Sequence, residues 1–463
     1  MNAIYIISGL GILSLVAEVF NFRKALNVLV LMGLLAAAAQ LILDWNASNS
    51  YFNNMIILHA GNRPFILLMV MVTFFWILMA WQYLNQSESH TDRMALVMFV
   101  LTGGVLMITF GNMAMLFLGI ETLSLSLYTL AGSRKNSLSS TEAAFKYFLM
   151  GSFATGFLLF GVALVYGATG SFSVQGIADK LLNTADQLPA FFHVGIILIL
   201  IGLAFKISAV PFHFWAPDVY EGAPTSITAY MATVVKVSAV MAFYQILNLF
   251  LPVSHTWKLT LEVFTVLTLF VPNIAAVLQN SAKRMLAYSS VGHVGFILLA
   301  MLTLVGNYCP DCSYELPTKT IFFYLAAYSV ASLMAFNIVS LVEVHTGHVA
   351  IANFKGLFKK NSFLAVCMTV ALLSLAGIPP LAGFFGKYMI FVLAIQQGFG
   401  FLALLGVLAS LIGVYYYFRI IVAMFFQEPH GEAFSLAAHQ KLWLLILVML
   451  TFGLGIFADY IIG

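Results

Sequence analysis

Charge is scarce in this sequence. Only 8% of its 463 residues are Asp, Glu, Lys or Arg, against 62% hydrophobic, and the mean hydropathy is +1.00. So few charges cannot coat a water-exposed surface, which excludes a soluble globular domain and predicts a polytopic membrane protein. Cysteine is scarce too, at three residues. Cys309 and Cys312 make one C-x-x-C, but a metal site needs about four ligands and no second Cys or His pair is near, so no metal is expected; a short structural disulfide is the most this pair would form. Cys367 lies within an apolar run and is expected to be inert. The first twenty residues hold no Lys or Arg, and Arg23 and Lys24 follow the first apolar run. That order is the reverse of a secretory signal, so Ile4 to Phe20 is read as a retained span. No Gly-rich phosphate loop and no haem or iron–sulfur spacing occurs, and the basic residues sit in short loops without interleaved aromatics, which excludes nucleic-acid binding.

Apolar runs do occur, roughly fourteen of them at the length of about 20 residues that crosses a hydrocarbon core. With the N-terminus outside, loops and helix ends on the inner side carry 12 basic residues and those on the outer side 4. The positive-inside rule therefore predicts an N-out topology, and an even span count puts the C-terminus outside as well. Two runs are interrupted by proline, the seventh at Pro211 and the twelfth at Pro379 and Pro380. Spans four to eight and nine to thirteen each contain five helices, with the broken helix fourth in each set. An odd helix number inverts the second copy relative to the first, the plan of many transporters. The expected fold is thus all-α and polytopic, with two inverted five-helix repeats. Residues 1–93 form a three-helix segment, 94–258 the first repeat, 259–426 the second and 427–463 a C-terminal helix.

The stretch GLAFKISAVPFHFWAPDVYEGAPTS, Gly202 to Ser226, concentrates the polar residues of an otherwise apolar region. Pro211 lacks an N–H and its ring clashes with the carbonyl four residues back, so the helix must kink or unwind there. Freed backbone groups at membrane depth are tolerated only where they line a polar cavity or are buried in protein. Lys206 precedes this break by about one and a half turns. Glu121, Lys236 and Lys387 each fall about nine or ten residues inside a span, near the bilayer midplane. An ionisable residue at helix centre costs about 2.5 to 3.5 kcal/mol, so these four and Lys146 point to a proton pathway. Lysine suits that task because, unlike arginine, it can release its proton. Blander readings stand beside each: an interhelical hydrogen bond for Glu121, snorkelling for the deep lysines, and a local i, i+4 pair with Glu142 for Lys146. His213 and His293 are either proton carriers or satisfied polar residues in a helix interface. Asp218 and Glu221 are read as a solvated loop at the inner mouth.

The stretches FLGIETLSLSLYTLAG, AAFKYFLMGSFATGFLLFG, Gly202 to Val240, KRMLAYSSVGHVGF and LAGIPPLAGFFGKY resemble the antiporter-like membrane subunits of proton-pumping NADH:quinone oxidoreductase, respiratory complex I. The likeness extends over essentially the whole chain. Within that family, DVYEGAPT, the lysine rather than glutamate at 387, and an end at Gly463 without a lateral helix resemble the N branch rather than L or M; the first three helices, absent from the animal mitochondrial counterpart, suggest a bacterial inner-membrane protein. The resemblance implies a charge pair of Glu121 and Lys206, a central relay at Lys236, Lys387 facing the second half-channel, and secondary positions at His213, His293 and Lys146. It implies no redox cofactor in this chain, with FMN and iron–sulfur clusters in partner subunits and NADH and quinone as substrates of the whole complex. Membrane-arm and peripheral subunits and lipid are the implied partners. A multisubunit sodium/proton antiporter, a membrane-bound hydrogenase and a mainly structural arm subunit remain the alternatives.

Overall fold

The computed structural model describes residues 2–20, 22–85, 90–184, 187–306, 315–429 and 433–458. Cys309 and Cys312 lie outside them. The described chain is almost entirely helical. It begins with α1 (Asn2–Val19) and α2 (Arg23–Leu43), then a small antiparallel hairpin of β1 (Asn49–Tyr51) and β2 (Ile56–Leu58) in which Asn49 pairs with Leu58. Helices α3 (Arg63–Met79), α4 (Trp81–Asn85), α5 (His90–Thr109), α6 (Met113–Ala131), α7 (Leu138–Thr169), α8 (Val174–Thr184) and α9 (Ala190–Ile207) follow. The chain continues through α10 (Trp215–Gly222), α11 (Thr225–Tyr230), a π-helical turn at Met231–Val235, α12 (Lys236–Leu249), α13 (Lys258–Val277) and α14 (Ala282–Leu302). It ends with α15 (Glu315–Thr346), α16 (Leu357–Lys360), α17 (Ser362–Ala376), α18 (Ala382–Gln396), α19 (Gly400–Phe426) and α20 (Ala438–Ile456). Among the described residues eleven helices are long and apolar enough to cross a membrane, and four shorter apolar ones accompany them. Helices dominate because a lipid-embedded backbone must satisfy its own hydrogen bonds. The expectation of an all-α polytopic membrane protein is met.

The chain forms two compact units. Residues 1–207 and 234–259 make the first. Helices α7 and α9 touch backbone to backbone: a Cβ on Gly161 would stand 2.6 Å from the Gly195 carbonyl oxygen, and one on Gly195 would stand 3.0 Å from that of Gly161. Small residues at such crossings replace the hydrophobic drive that lipid removes. The outward side of α7 carries Phe145, Phe153 and Phe160 at 60%, 72% and 59% exposure, a surface suited to acyl chains.

Residues 208–233 and 260–463 make the second unit. The two proline breaks follow one rule. A proline ring excludes the carbonyl four residues earlier, and α9 ends at Ile207, four before Pro211, while α17 ends at Ala376, four before Pro380. The first break therefore opens at Ser208, three residues before the proline. Its freed Val210 N–H donates to Thr268 Oγ1 at 2.9 Å, a side-chain substitute for the lost helical bond. Proline alone does not decide the matter, since α13 continues through Pro272. At the second break Gly377, with φ at +85°, takes the left-handed turn that ends α17 without a Cβ penalty.

Candidate functional site

Glu121, Ser124 and Tyr128 are spaced three and four apart on α6, so one helix face presents all three. Lys206 stands in the last turn of α9 and is only 3% exposed. Its Nζ donates to Ser124 Oγ, and the Ser124 O–H donates to the Ile120 carbonyl. The ammonium lies 5.8 Å from the Tyr128 ring centre and 5.9 Å from that of Tyr147, within reach of a cation–π interaction. Glu121 is partly buried, and among the described residues no ion pair shorter than 4.0 Å joins it to Lys206. In this arrangement the lysine rests on a hydroxyl and two rings, one turn along α6 from the carboxylate.

Lys146 pairs with Glu142 at 2.7 Å, with side chains 34% and 63% exposed, the local surface pair that the i, i+4 spacing allows. Lys236 is buried at 2% exposure as the first residue of α12, directly after the π-helical turn. Such turns widen the backbone and recur at functional positions. The β-branched Thr233–Val234–Val235 run is the only local signal for it in the sequence.

In the second unit the structure brings His293 and Lys387 together. Lys387 Nζ donates to the Ala376 carbonyl at 2.8 Å and to Ser410 Oγ at 3.0 Å, and lies 5.0 Å from the Phe296 ring centre. Ala376 is the last residue of α17, so its carbonyl has no acceptor role left within its own helix. The break thus supplies the oxygen that holds the lysine. His293 is held at both ring nitrogens: Nδ1 lies 2.7 Å from the Tyr324 hydroxyl and Nε2 lies 3.2 Å from that of Tyr417. Tyr417 also bonds Ser289, and Tyr416 donates to Asn273 Oδ1 at 2.9 Å. Two cavities of about 10 Å³ each flank the imidazole, one lined also by Tyr324, Tyr328 and Ser374, the other by Asn273, Ser289, Lys387, Ser410 and the two neighbouring tyrosines. Each is near the smallest volume that admits one water molecule.

His213 lies in the non-helical link after Pro211, 6% exposed, and its Nδ1 has no hydrogen-bond partner among the described residues. Asp218 and Glu221, read from sequence as a solvated loop, are both clamped at 2.8 Å by Arg284. Sequence reasoning missed Arg284, Ser124 and every tyrosine named above. The spacing of Glu121, Ser124 and Tyr128 could have exposed two of them; the tyrosines of α15 and α19 carried no signal beyond their apolar surroundings.

The site is made of buried lysines, hydroxyls and an imidazole, and among the described residues no three His, Cys, Asp or Glu side chains group as metal ligands would. Comparison with known proteins agrees on the family. A sequence model described as "NADH:quinone oxidoreductase/Mrp antiporter, TM" matches residues 111–413. The chain belongs to this NADH:quinone oxidoreductase/Mrp antiporter family. Glu121, Lys206, Lys236, His293 and Lys387 all fall inside the matched segment. A family member from Cytophaga hutchinsonii, "NADH-quinone oxidoreductase subunit N", is 43% identical over 472 residues, covering 100% of this chain and 99% of that one. Among solved structures, a chain of respiratory complex I from Thermus thermophilus with bound aureothin superposes with a TM-score of 0.82 at 29% identity, covering 99% of this chain and 98% of that one. A chain of an archaeal membrane-bound sulfane sulfur reductase gives a TM-score of 0.88 at 26% identity, covering 99% and 95%.

Proposed function

We propose that the chain is the N-type membrane subunit of a bacterial NADH:quinone oxidoreductase in the inner membrane, and that it carries protons from cytoplasm to periplasm. Whole-length similarity to proteins named subunit N supports the assignment to that complex. The observation that carries the proton role is the burial of Lys206 and Lys387, at 3% and 6% exposure, on hydroxyl and carbonyl acceptors, with no carboxylate ion-paired to either among the described residues. A buried cation without a fixed counter-ion is poised to exchange its proton. The proposed relay loads Lys206, influenced by Glu121, continues through Lys236 and ordered water, and leaves by way of His293 and Lys387. Residues 94–258 and 259–426 would act as inverted halves, each with one broken helix. Both termini would be periplasmic. Flavin, iron–sulfur clusters and the NADH and quinone sites belong to partner subunits in this proposal, and their free energy reaches this chain by conformation or electrostatics.

Two measurements test it. Purification on a C-terminal tag is expected to recover flavin and iron–sulfur subunits with NADH:quinone activity; recovery of antiporter-like chains alone would move the protein to the cation antiporters. In complexes of normal subunit content, Lys206→Gln and Glu121→Gln are expected to lower the protons moved per NADH. An unchanged ratio in the double variant would end the relay assignment.

A further inference from the structure

Lys206 has a hydroxyl and two aromatic rings on three sides. Ser124 spends its single O–H on the Ile120 carbonyl, so toward Lys206 it offers only lone pairs. Tyr128 and Tyr147 meet edge to face, with centres 4.7 Å apart at 86°, and the ammonium lies nearly equidistant from both, at 5.8 and 5.9 Å. Ser124 and Tyr147 are 0% exposed and Tyr128 is 8% exposed. The position of Tyr128 depends on Gly151 of α7, where a Cβ would fall 2.0 Å from the Tyr128 hydroxyl oxygen. The phenol therefore occupies room that only glycine leaves, and two helices fix the rings before the lysine arrives.

We infer that Ser124, Tyr128 and Tyr147 form a dedicated seat for the Lys206 ammonium, an address separate from Glu121, and that the two aromatic faces are positioning groups for proton transfer. Glu121 precedes Ser124 by three residues, or about 4.5 Å along the helix. The four-carbon stem of lysine spans such a distance by rotation about its own bonds. Lys206 thus has two stations on one face of α6: a neutral polarizable seat and a carboxylate. The aromatic faces attract the ammonium electrostatically without a carboxylate to trap it. Occupancy of the seat frees Glu121 to exchange its own proton. Return to Glu121 re-forms the pair. The inference rests on the relay proposed above.

The test uses the intact complex in proteoliposomes, with NADH oxidation and proton movement recorded together. Tyr128→Phe/Tyr147→Phe keeps both ring faces and is expected to retain the parental rate of proton movement. Tyr128→Leu/Tyr147→Leu removes them and is expected to slow it roughly two- to tenfold. In a Lys206→Gln background the Phe and Leu pairs should give the same residual rate. Three results overturn the seat: Leu equal to parent, Phe as slow as Leu, or the same Leu defect with and without Lys206, which would reveal packing alone. If the Leu pair does not assemble, Tyr147→Phe against Tyr147→Met makes the same comparison singly. Failure of the relay itself has a different signature, a parental proton ratio in Lys206→Gln, and that result removes the role of the seat as well.

Discussion

Replacing Lys387 by methionine is expected to slow proton movement at least about tenfold in a fully assembled complex, a floor set below the 10²- to 10⁴-fold that a positioned proton-transfer group can contribute. Methionine fills similar volume without an ammonium, so packing is largely kept and chemistry is lost. The lysine donates to Ala376 O and Ser410 Oγ and lines a small cavity with His293 and Tyr417. In the proposed relay its loss leaves the cavity without a cation to exchange a proton with the imidazole, which stays bonded to the Tyr324 and Tyr417 hydroxyls. NADH oxidation coupled to a proton electrode in proteoliposomes reads the effect directly. A methionine variant with parental proton yield would show that Lys387 braces the broken helix and nothing more. Ser410→Ala, which removes one of two acceptors, should give a smaller loss in the same assay.

Gly383→Ala is expected to prevent accumulation of the folded chain. A Cβ at this position would lie 1.8 Å from the Ser374 carbonyl oxygen, so the second residue of α18 cannot carry one while it rests against the last turn of α17. The contact is to backbone rather than to a flexible side-chain end, and overpacking of this kind costs 1 to 3 kcal/mol or more. It would also move Lys387, which follows at i+4. Gly400→Ala is the matched control, because nothing lies within 4 Å of its added Cβ. Immunodetection of the membrane-inserted chain, with thermal inactivation of the purified complex, distinguishes the two. Equal abundance and equal heat resistance of both variants would mean that the α17–α18 corner tolerates separation.

Much of this arrangement was legible in the sequence because it follows from single residues. Run length marked the membrane helices. Pro211 and Pro380 marked the two breaks, and the deep lysines marked themselves by their insertion cost. What a linear reading could not supply depends on which helices pack together. Attention went to Lys146 for its charge, yet the adjacent Tyr147 is the residue that α7 turns toward Lys206, while Lys146 remains on the surface with Glu142. Tyr324 and Tyr417 are 93 residues apart in sequence (417 − 324) and come together at the two nitrogens of His293. The π-helical turn before Lys236 shows the same limit, since one extra residue per turn is a backbone choice that the Thr-Val-Val run permits without demanding. Pro272 warns in the other direction: a proline within a span interrupts it only when the neighbouring residues also leave the helix.

Aligned peptide dipoles leave about half a negative charge at a helix C-terminus. Lys206 occupies the final turn of α9, and Lys387 donates to the terminal carbonyl of α17. Each lysine therefore faces a counter-charge made of backbone, one that no change of pH can neutralise and no proton can occupy. A carboxylate partner switches off when it binds a proton; a helix end does not. The two breaks thus give each buried amine a constant electrostatic floor, and in the proposed relay Glu121 is the adjustable part at the first site. At the second, where Lys387 donates to a carbonyl and a hydroxyl, the same proposal leaves adjustment to whatever alters the tilt or hydration of the α17 terminus.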